Sequence, residues 1–273
     1  MMVRVMTKEL EEKARKELNE DHRRDDYVQE LKVWMKTNYE REIIGDMWLL
    51  NYLRGCKFDR ERTKDKLQKF YAAKSTMTLL FDNRDPFSTN IQDVIRSGIL
   101  LPLYSEDKEI ILVRWANCDT SKVTLLNVVK VGLMLLEMFM HECRTCMIVG
   151  HYVIIDCSGL PFSFITQVSP SLIKNIVYVL FRTYPTRIKG IFVINCFALT
   201  QIFYNIFKPF LQKKIISRIH FYSSNNFNEI SKHVPLSVFP REYGGDSGSI
   251  SNIVDNVKNS LEQRRRWYLK DRH

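Results

Sequence analysis

The sequence predicts an α/β fold, a largely parallel sheet with crossover helices, preceded by a small all-α domain. Three observations carry this reading. Short apolar, β-branched runs lie at residues 109–115, 152–157, 190–196 and 218–223. They are continuous rather than alternating, the pattern of strands buried on both faces of a sheet. Helical patterns of a dozen or more residues separate them, while residues 1–75 hold no such run and read as charged, one-sided helices.

In the N-terminal part, Tyr27, Val28, Leu31, Trp34 and Met35 fall at helical spacing on one apolar face. Met47, Leu50 and Leu53 form a second stripe. Asp59 is placed to N-cap the next helix, whose buried face is Thr63, Leu67, Phe70 and Tyr71. Residues 82–89 are polar, contain proline and read as a linker. Beyond it, Leu125, Val128, Val129, Gly132, Leu133, Leu136 and Met140 share a helical stripe. Ser169 and Pro170 supply an N-cap and first-turn pair for another helix. Ile202, Phe203, Ile206, Phe207 and Phe210 line a third, which is aromatic at Phe203, Tyr204, Phe207 and Phe210. A helix apolar over much of its circumference is either core or the cover of a removable apolar ligand, and periodicity alone leaves both open.

Composition narrows the classes. The 273 residues are 45% hydrophobic, 12% aromatic and 26% charged, ample for a core and contrary to disorder. Ten glycines and eight prolines leave little room for long linkers or repeats. The formal net charge of +10 suits an anionic partner, membrane lipid or nucleic acid. Six cysteines, at 56, 118, 143, 146, 157 and 196, are scattered, and two follow buried-strand patterns, so free thiols are expected. The N-terminus is charged from the fourth residue and lacks an apolar signal-peptide core. The longest uncharged run, residues 190–207, falls just short of a membrane span and reads as a buried strand plus an apolar helix.

Catalytic signatures are missing. The sequence contains no GxGxxG, Walker loop, HExxH or nucleophile elbow. The six histidines, at 22, 141, 151, 220, 233 and 273, show no metal-ligand spacing, so no cofactor and no metal are expected. Cys143-Arg144-Thr145-Cys146 is a single CxxC without a second pair, which by spacing alone is weak support for zinc or redox chemistry. The tetrapeptide Gly245-Asp246-Ser247-Gly248 matches the surroundings of a serine-protease nucleophile, but alternating strands and helices contradict that fold. Asp156 ends a strand where catalytic groups often sit; without a positioned partner it reads as a turn or cap residue.

Four stretches resemble the CRAL-TRIO family. Residues 52–59 read YLRGCKFD, residues 184–195 read YPTRIKGIFVIN, residues 208–220 carry KPFL followed by Lys214 and Arg218-Ile219-His220, and residues 239–245 read FPREYGG. They occur in the family's order, and the resemblance runs from about residue 25 to 246. It implies a helical domain at 1–81, a lipid-binding α/β domain at 90–246 with an apolar pocket under a helical gate, and a basic C-terminal tail at 247–273. The protease-like tetrapeptide then falls in the family's C-terminal turn.

By motif position the gate is the helix at residues 198–210. The implied pocket is lined by Val129, Leu133, Leu136, His151, Ile155, Ile176, Val179, Leu180, Ile191, Phe203 and Phe207. The implied ligand is a hydrophobic small molecule or lipid of tocopherol or retinoid type, carried without catalysis. A tocopherol-binding branch of the family has two pocket serines where this chain has Gly132 and Leu136, so fewer hydroxyls orient a headgroup. His151 is the one titratable side chain assigned to the pocket, as a hydrogen-bond donor to a hydroxyl or carbonyl. Arg187, Lys189, Lys214 and Arg218 correspond to a cationic groove that grips phosphoinositide phosphates, chemistry that arginine and lysine suit in any case. Cys56 stands where that groove has an arginine, with Lys57 beside it. The expectation is a monomeric, cytoplasmic carrier that docks peripherally on phosphoinositide-containing membranes. A second reading is a phosphoinositide-sensing scaffold whose basic tail, Arg264-Arg265-Arg266-Trp267, contacts a partner or membrane. Nucleic-acid binding rests on charge alone and ranks last.

Overall fold

The computed structural model describes residues 5–39, 45–105, 107–116, 118–223 and 227–270. The helical expectation at 1–4 and 40–44, and the last three residues of the basic tail, lie outside them.

Among the described residues the N-terminal unit holds α1 (Lys8–Leu18), α2 (Arg24–Tyr39), α3 (Asp46–Gly55) and α4 (Arg60–Thr76), followed by a short helical turn at Thr78–Phe81. Thr7 caps α1 by accepting the Leu10 N–H, and Asn19 ends it in the left-handed region at φ 62°. Asp59 caps α4 by accepting the Arg62 N–H at 3.0 Å, as its position suggested. The stripe read on α3 was too narrow. Trp48 through Arg54 are all buried, because α3 packs on α2, α4 and a helix of the second unit.

The second unit holds a five-stranded sheet of β1 (Leu100–Tyr104), β2 (Glu109–Arg114), β3 (His151–Asp156), β4 (Ile188–Ile194) and β5 (Ile219–Phe221). The strands lie in sequence order; β1 is antiparallel to β2 and the rest are parallel. β1 escaped the sequence reading because Pro102 interrupts its apolar run. It is an edge strand, where a missing N–H is tolerated. The helices are α5 (Thr89–Ser97), α6 (Leu125–Glu142), α7 (Pro170–Tyr178) running into a π-helical turn (Val179–Thr183), α8 (Ala198–Phe207), α9 (Ile250–Gln263) and α10 (Arg265–Lys270). Ser169 caps α7 as expected.

Register assigns the sheet faces. Ile155, Val193 and Phe221 lie side by side across β3–β5, and Ile191 beside Ile219 in the same set. The alternate row, Leu112, Ile154, Phe192 and His220, faces the other way. The core around Leu112, Ile154 and Phe192 includes Met134 of α6 and Ile253, Val257 and Leu261 of α9. The segment that follows the second unit's sheet packs back onto this core. Tyr268 is buried and donates to the Met134 carbonyl at 3.1 Å, Arg264 pairs with Glu142, and Arg265 pairs with Asp85 at 2.7 Å.

A second core joins the two units, with Trp48, Leu53, Leu67 and Phe70 against Leu133, Met140, Val179 and Tyr184. Buried polar groups tie the same seam. Arg54, paired with Glu20 at 2.8 Å inside the N-terminal unit, donates across the seam to the Arg144 carbonyl, and Arg84 pairs with Glu137 at 2.8 Å, where the Tyr184 hydroxyl also donates at 2.6 Å. Lys66 donates to the carbonyls of Phe181, Arg182 and Tyr184. Gly55 is required here: a Cβ at that position would stand 2.2 Å from the Pro185 carbonyl oxygen.

Candidate functional site

A cavity of about 300 Å³ lies between the β3–β5 sheet face and helices α7 and α8. The strands contribute Ile155, Ile191, Val193, Ile219 and Phe221, α7 and its π-helical turn contribute Ile176, Val177, Leu180 and Phe181, and α8 contributes Thr200, Phe203, Tyr204 and Phe207. Trp115, Leu125, Cys157, Leu160, Phe164 and Leu211 complete the lining. Among the described residues no charged side chain contributes to it. Most of the strand contribution comes from the carboxyl half of the sheet, the end at which α/β folds place ligands.

Burial along helix α8 bears on the alternative that periodicity left open. A ten-residue helix this apolar, were it core, would bury most of its side chains. Only Thr200 is buried, and its hydroxyl accepts the Phe197 N–H at 3.3 Å. Phe203 and Phe207 are half-buried over the cavity while Ile202 points outward at 46% exposure. Phe162, Phe197 and Phe221 are likewise exposed large apolar residues, at 66%, 46% and 41%. Each lines the cavity or lies within three residues of one that does.

Of the residues expected in the pocket, Ile155, Ile176, Leu180, Ile191, Phe203 and Phe207 come together here. Val129, Leu133, Leu136, Val179 and His151 do not. Leu133 and Val179 are buried in the seam with the N-terminal unit, and Val129 and Leu136 pack against it. Val129, Leu133, Leu136 and Met140 of the α6 stripe face that neighbour, Val128 joins the sheet core, and among the described residues Leu125 in the first turn is the part of α6 that reaches the cavity. His151 shares a sheet face with Ile155 but stands four residues earlier, about 13 Å at ~3.3 Å per residue. It is buried, its Nε2 lacks a partner, and burial followed by the nearby Arg187 charge pushes its pKa down to about 4. It is a neutral core histidine. Val193, Ile219 and Phe221 were findable by alternation once the strand register was known; Phe164 lies in a stretch without periodic pattern.

The four expected cations converge beside the amino ends of β4 and β5, but they are not equally open. Arg187 donates to the Met147 and Ile148 carbonyls and pairs with Glu17 of α1 at 2.9 Å, and Lys189 reaches the same carboxylate at 3.2 Å. Partial burial raises the Glu17 pKa, but hydrogen bonds from Arg187 and Lys189 outweigh it and leave the carboxyl below its ordinary range. Arg218 donates to the Ile188 carbonyl. Lys214 is exposed, and its ammonium is held below the usual lysine range by Arg218 first, then by partial burial and by Lys57, Arg62 and Arg187. Lys57 and Arg62 thus extend the cluster, which the sequence reading had not assigned to them both. Cys56 is buried, and burial pushes its thiol pKa up, so it faces no groove.

Asp156 accepts from Asn195 at 2.7 Å, the Ser158 N–H at 2.9 Å and the Tyr243 hydroxyl at 2.6 Å, which fixes the C-terminal turn to the sheet. Among the described residues no three His, Cys, Asp or Glu groups are arranged to hold a metal ion, and no helix is long and apolar enough to cross a membrane.

Comparison with known proteins gives a consistent result. The CRAL/TRIO domain model matches residues 102–245, and the Pinta-like UBA domain model matches residues 20–91. The human and Pongo abelii proteins named alpha-tocopherol transfer protein-like are each 28% identical over 259 residues, covering 92% of this chain and 74% of theirs. Clavesin-2 of Rattus norvegicus is 27% identical over 242 residues, covering 86% and 73%. The crystal structure of Sfh5 covers 91% of this chain and 92% of its own at a TM-score of 0.50 and 12% identity, a likeness of fold.

Proposed function

The chain belongs to the CRAL/TRIO family, a lipid-binding and lipid-transfer family, and from that premise we propose that it carries one hydrophobic small molecule or lipid of tocopherol or retinoid type between membranes. In this reading it acts as a carrier rather than an enzyme. Helix α8 is the gate, and the cations at Lys57, Arg62, Lys214 and Arg218 dock phosphoinositide headgroups. The observation that supports it most is the aromatic α8 lying over an apolar cavity while burying only Thr200.

Burial of a ligand in this cavity makes escape slow. Each ligand CH₂ group contributes about 0.8 kcal/mol against transfer to water. Docking on an anionic surface resolves that difficulty if the exposed Phe162, Phe197 and Ile202 enter the membrane and draw α8 outward. Each cation near the surface adds about 1 kcal/mol. The scaffold reading is the less favoured one, because Arg264 and Arg265 of its basic tail are paired within the fold. Transfer of a fluorescent tocopherol or retinoid between vesicles tests the carrier reading. The protein is expected to accelerate transfer, and more so into acceptors containing phosphoinositide; no acceleration with any apolar cargo would overturn it.

A further inference from the structure

The CxxC segment has no part in the cavity or the cationic cluster, yet its geometry is specific. We propose that Cys143 and Cys146 form a redox-active dithiol, with Cys143 the nucleophile toward a peroxide and Cys146 the resolving thiol. Cys143 follows the last turn of α6, where its N–H donates to the Phe139 carbonyl, and its side chain is partly exposed. Cys146 is fully buried one turn later. Its backbone N–H donates to Cys143 Sγ at 3.2 Å, and its thiol faces the carbonyls of Cys143, at 3.6 Å, and Phe139, at 3.9 Å. The outer sulfur therefore sits on the backbone of the inner cysteine, within the single turn that joins the two thiols. The backbone between them is held from the other unit, by Asn51 Nδ2 on the Cys143 carbonyl at 3.0 Å and by Arg54 on the Arg144 carbonyl.

The charged groups facing the pair are Glu109 of β2, whose Oε1 lies 3.6 Å from Cys143 Sγ, and Arg54 of α3. The hydrogen bond from the Cys146 thiol outweighs the burial penalty and brings the Cys143 pKa down to about 6. Cys56, Cys118, Cys157 and Cys196 all move the other way, chiefly through burial. Thiolate is the reactive form, so at neutral pH the site is selective for Cys143.

The chemistry balances with hydrogen peroxide as oxidant. The Cys143 thiolate attacks one peroxide oxygen; the S–O bond forms, the O–O bond breaks, and the departing hydroxide takes a proton from solvent to give water. Cys146 then attacks the sulfenic sulfur; the S–S bond forms, the S–O bond breaks, and the leaving hydroxide takes the Cys146 proton. Two thiols and one peroxide become one disulfide and two waters.

The test uses the reduced full chain at pH 7 with a few equivalents of hydrogen peroxide, followed by alkylation and peptide mass spectrometry. The first product expected is a Cys143–Cys146 disulfide, with Cys118 and Cys196 still free to alkylate. In the untreated protein, Cys143 should react with iodoacetamide about fivefold faster than Cys118 or Cys196, since lower nucleophilicity offsets part of its greater thiolate fraction. Its reaction should be half-maximal near pH 6. Cys146→Ser, or Cys146→Ala should the serine variant not fold, should leave a sulfenic acid on Cys143 that dimedone traps. Oxidation of Cys118 or Cys196 ahead of the pair, or a peroxide-treated folded protein with both thiols of the pair still alkylatable, overturns the assignment.

Discussion

At the scale of single residues, burial decides which titratable groups act and which only pack. The native His151 imidazole resists protonation down to about 4, whereas an unfolded histidine takes a proton near 6.5. Its folded pKa is depressed, so the unfolded state binds more protons between those values and stability falls as pH drops through the window. From pH 7.5 to pH 5 this histidine alone removes about 2 kcal/mol from wild type. His151→Gln has no such group, so its stability relative to wild type should improve by about 2 kcal/mol over that change, measured by urea unfolding of both proteins. A constant difference would mean the imidazole is solvated in the fold. The buried Cys56 carries a related lesson. An arginine there would stand at a fully buried position, so Cys56→Arg is expected to destabilise the fold rather than restore a phosphate contact.

Single elements divide into those that hold the fold and one that covers the cavity. Phe70 is buried in the seam core, and Phe70→Ala should cost about 3–5 kcal/mol. Phe207 is half-buried over the cavity, and Phe207→Ala should cost less than about 2 kcal/mol. Phe207→Asp should lose a bound apolar probe while the chain stays folded. Retention equal to wild type in a folded Phe207→Asp protein would remove α8 from the gate role. Most of these elements were legible in the sequence. Continuous β-branched runs mark strands β2 to β5, and Ser169-Pro170 and Asp59 mark helix starts. Strand β1 was hidden because an edge position excuses Pro102, a residue that sequence rules take as evidence against a strand. Half of the cavity was hidden for a different reason. Periodicity says which residues share a face, but not which neighbour covers that face or which end of a strand the cavity occupies. Val129, Leu133 and Leu136 share a stripe that the N-terminal unit covers, and His151 sits at the wrong end of β3.

At the scale of the molecule, the +10 charge has a local expression. Lys57 and Arg62 from the N-terminal unit meet Lys214 and Arg218 from the second, so the cationic surface exists only when the two units are packed together. Glu17 holds Arg187 and Lys189 back from it. Lys57 and Lys214 are exposed, and replacing both with Ala should weaken binding to phosphoinositide vesicles about thirtyfold, or ~2 kcal/mol at ~1 kcal/mol per cation. The loss should shrink as salt rises, because exposed charges are screened over about 8–10 Å. Vesicle affinity unchanged at low salt would make these lysines an ordinary solvated face. Ligand affinity measured without membranes should not move, since neither lysine lines the cavity.

If the protein is a carrier, the cavity under α8 is where its cargo binds. Native mass spectrometry of the purified full chain, before and after incubation with tocopherols, retinoids, sterols and phospholipids, tests it most directly. Expected are one apolar molecule per chain, a raised melting temperature in its presence as for any ligand of the native state, and release of that molecule in Phe207→Asp. A chain that keeps the mass of its polypeptide alone and an unshifted melting temperature against the whole panel would contradict it.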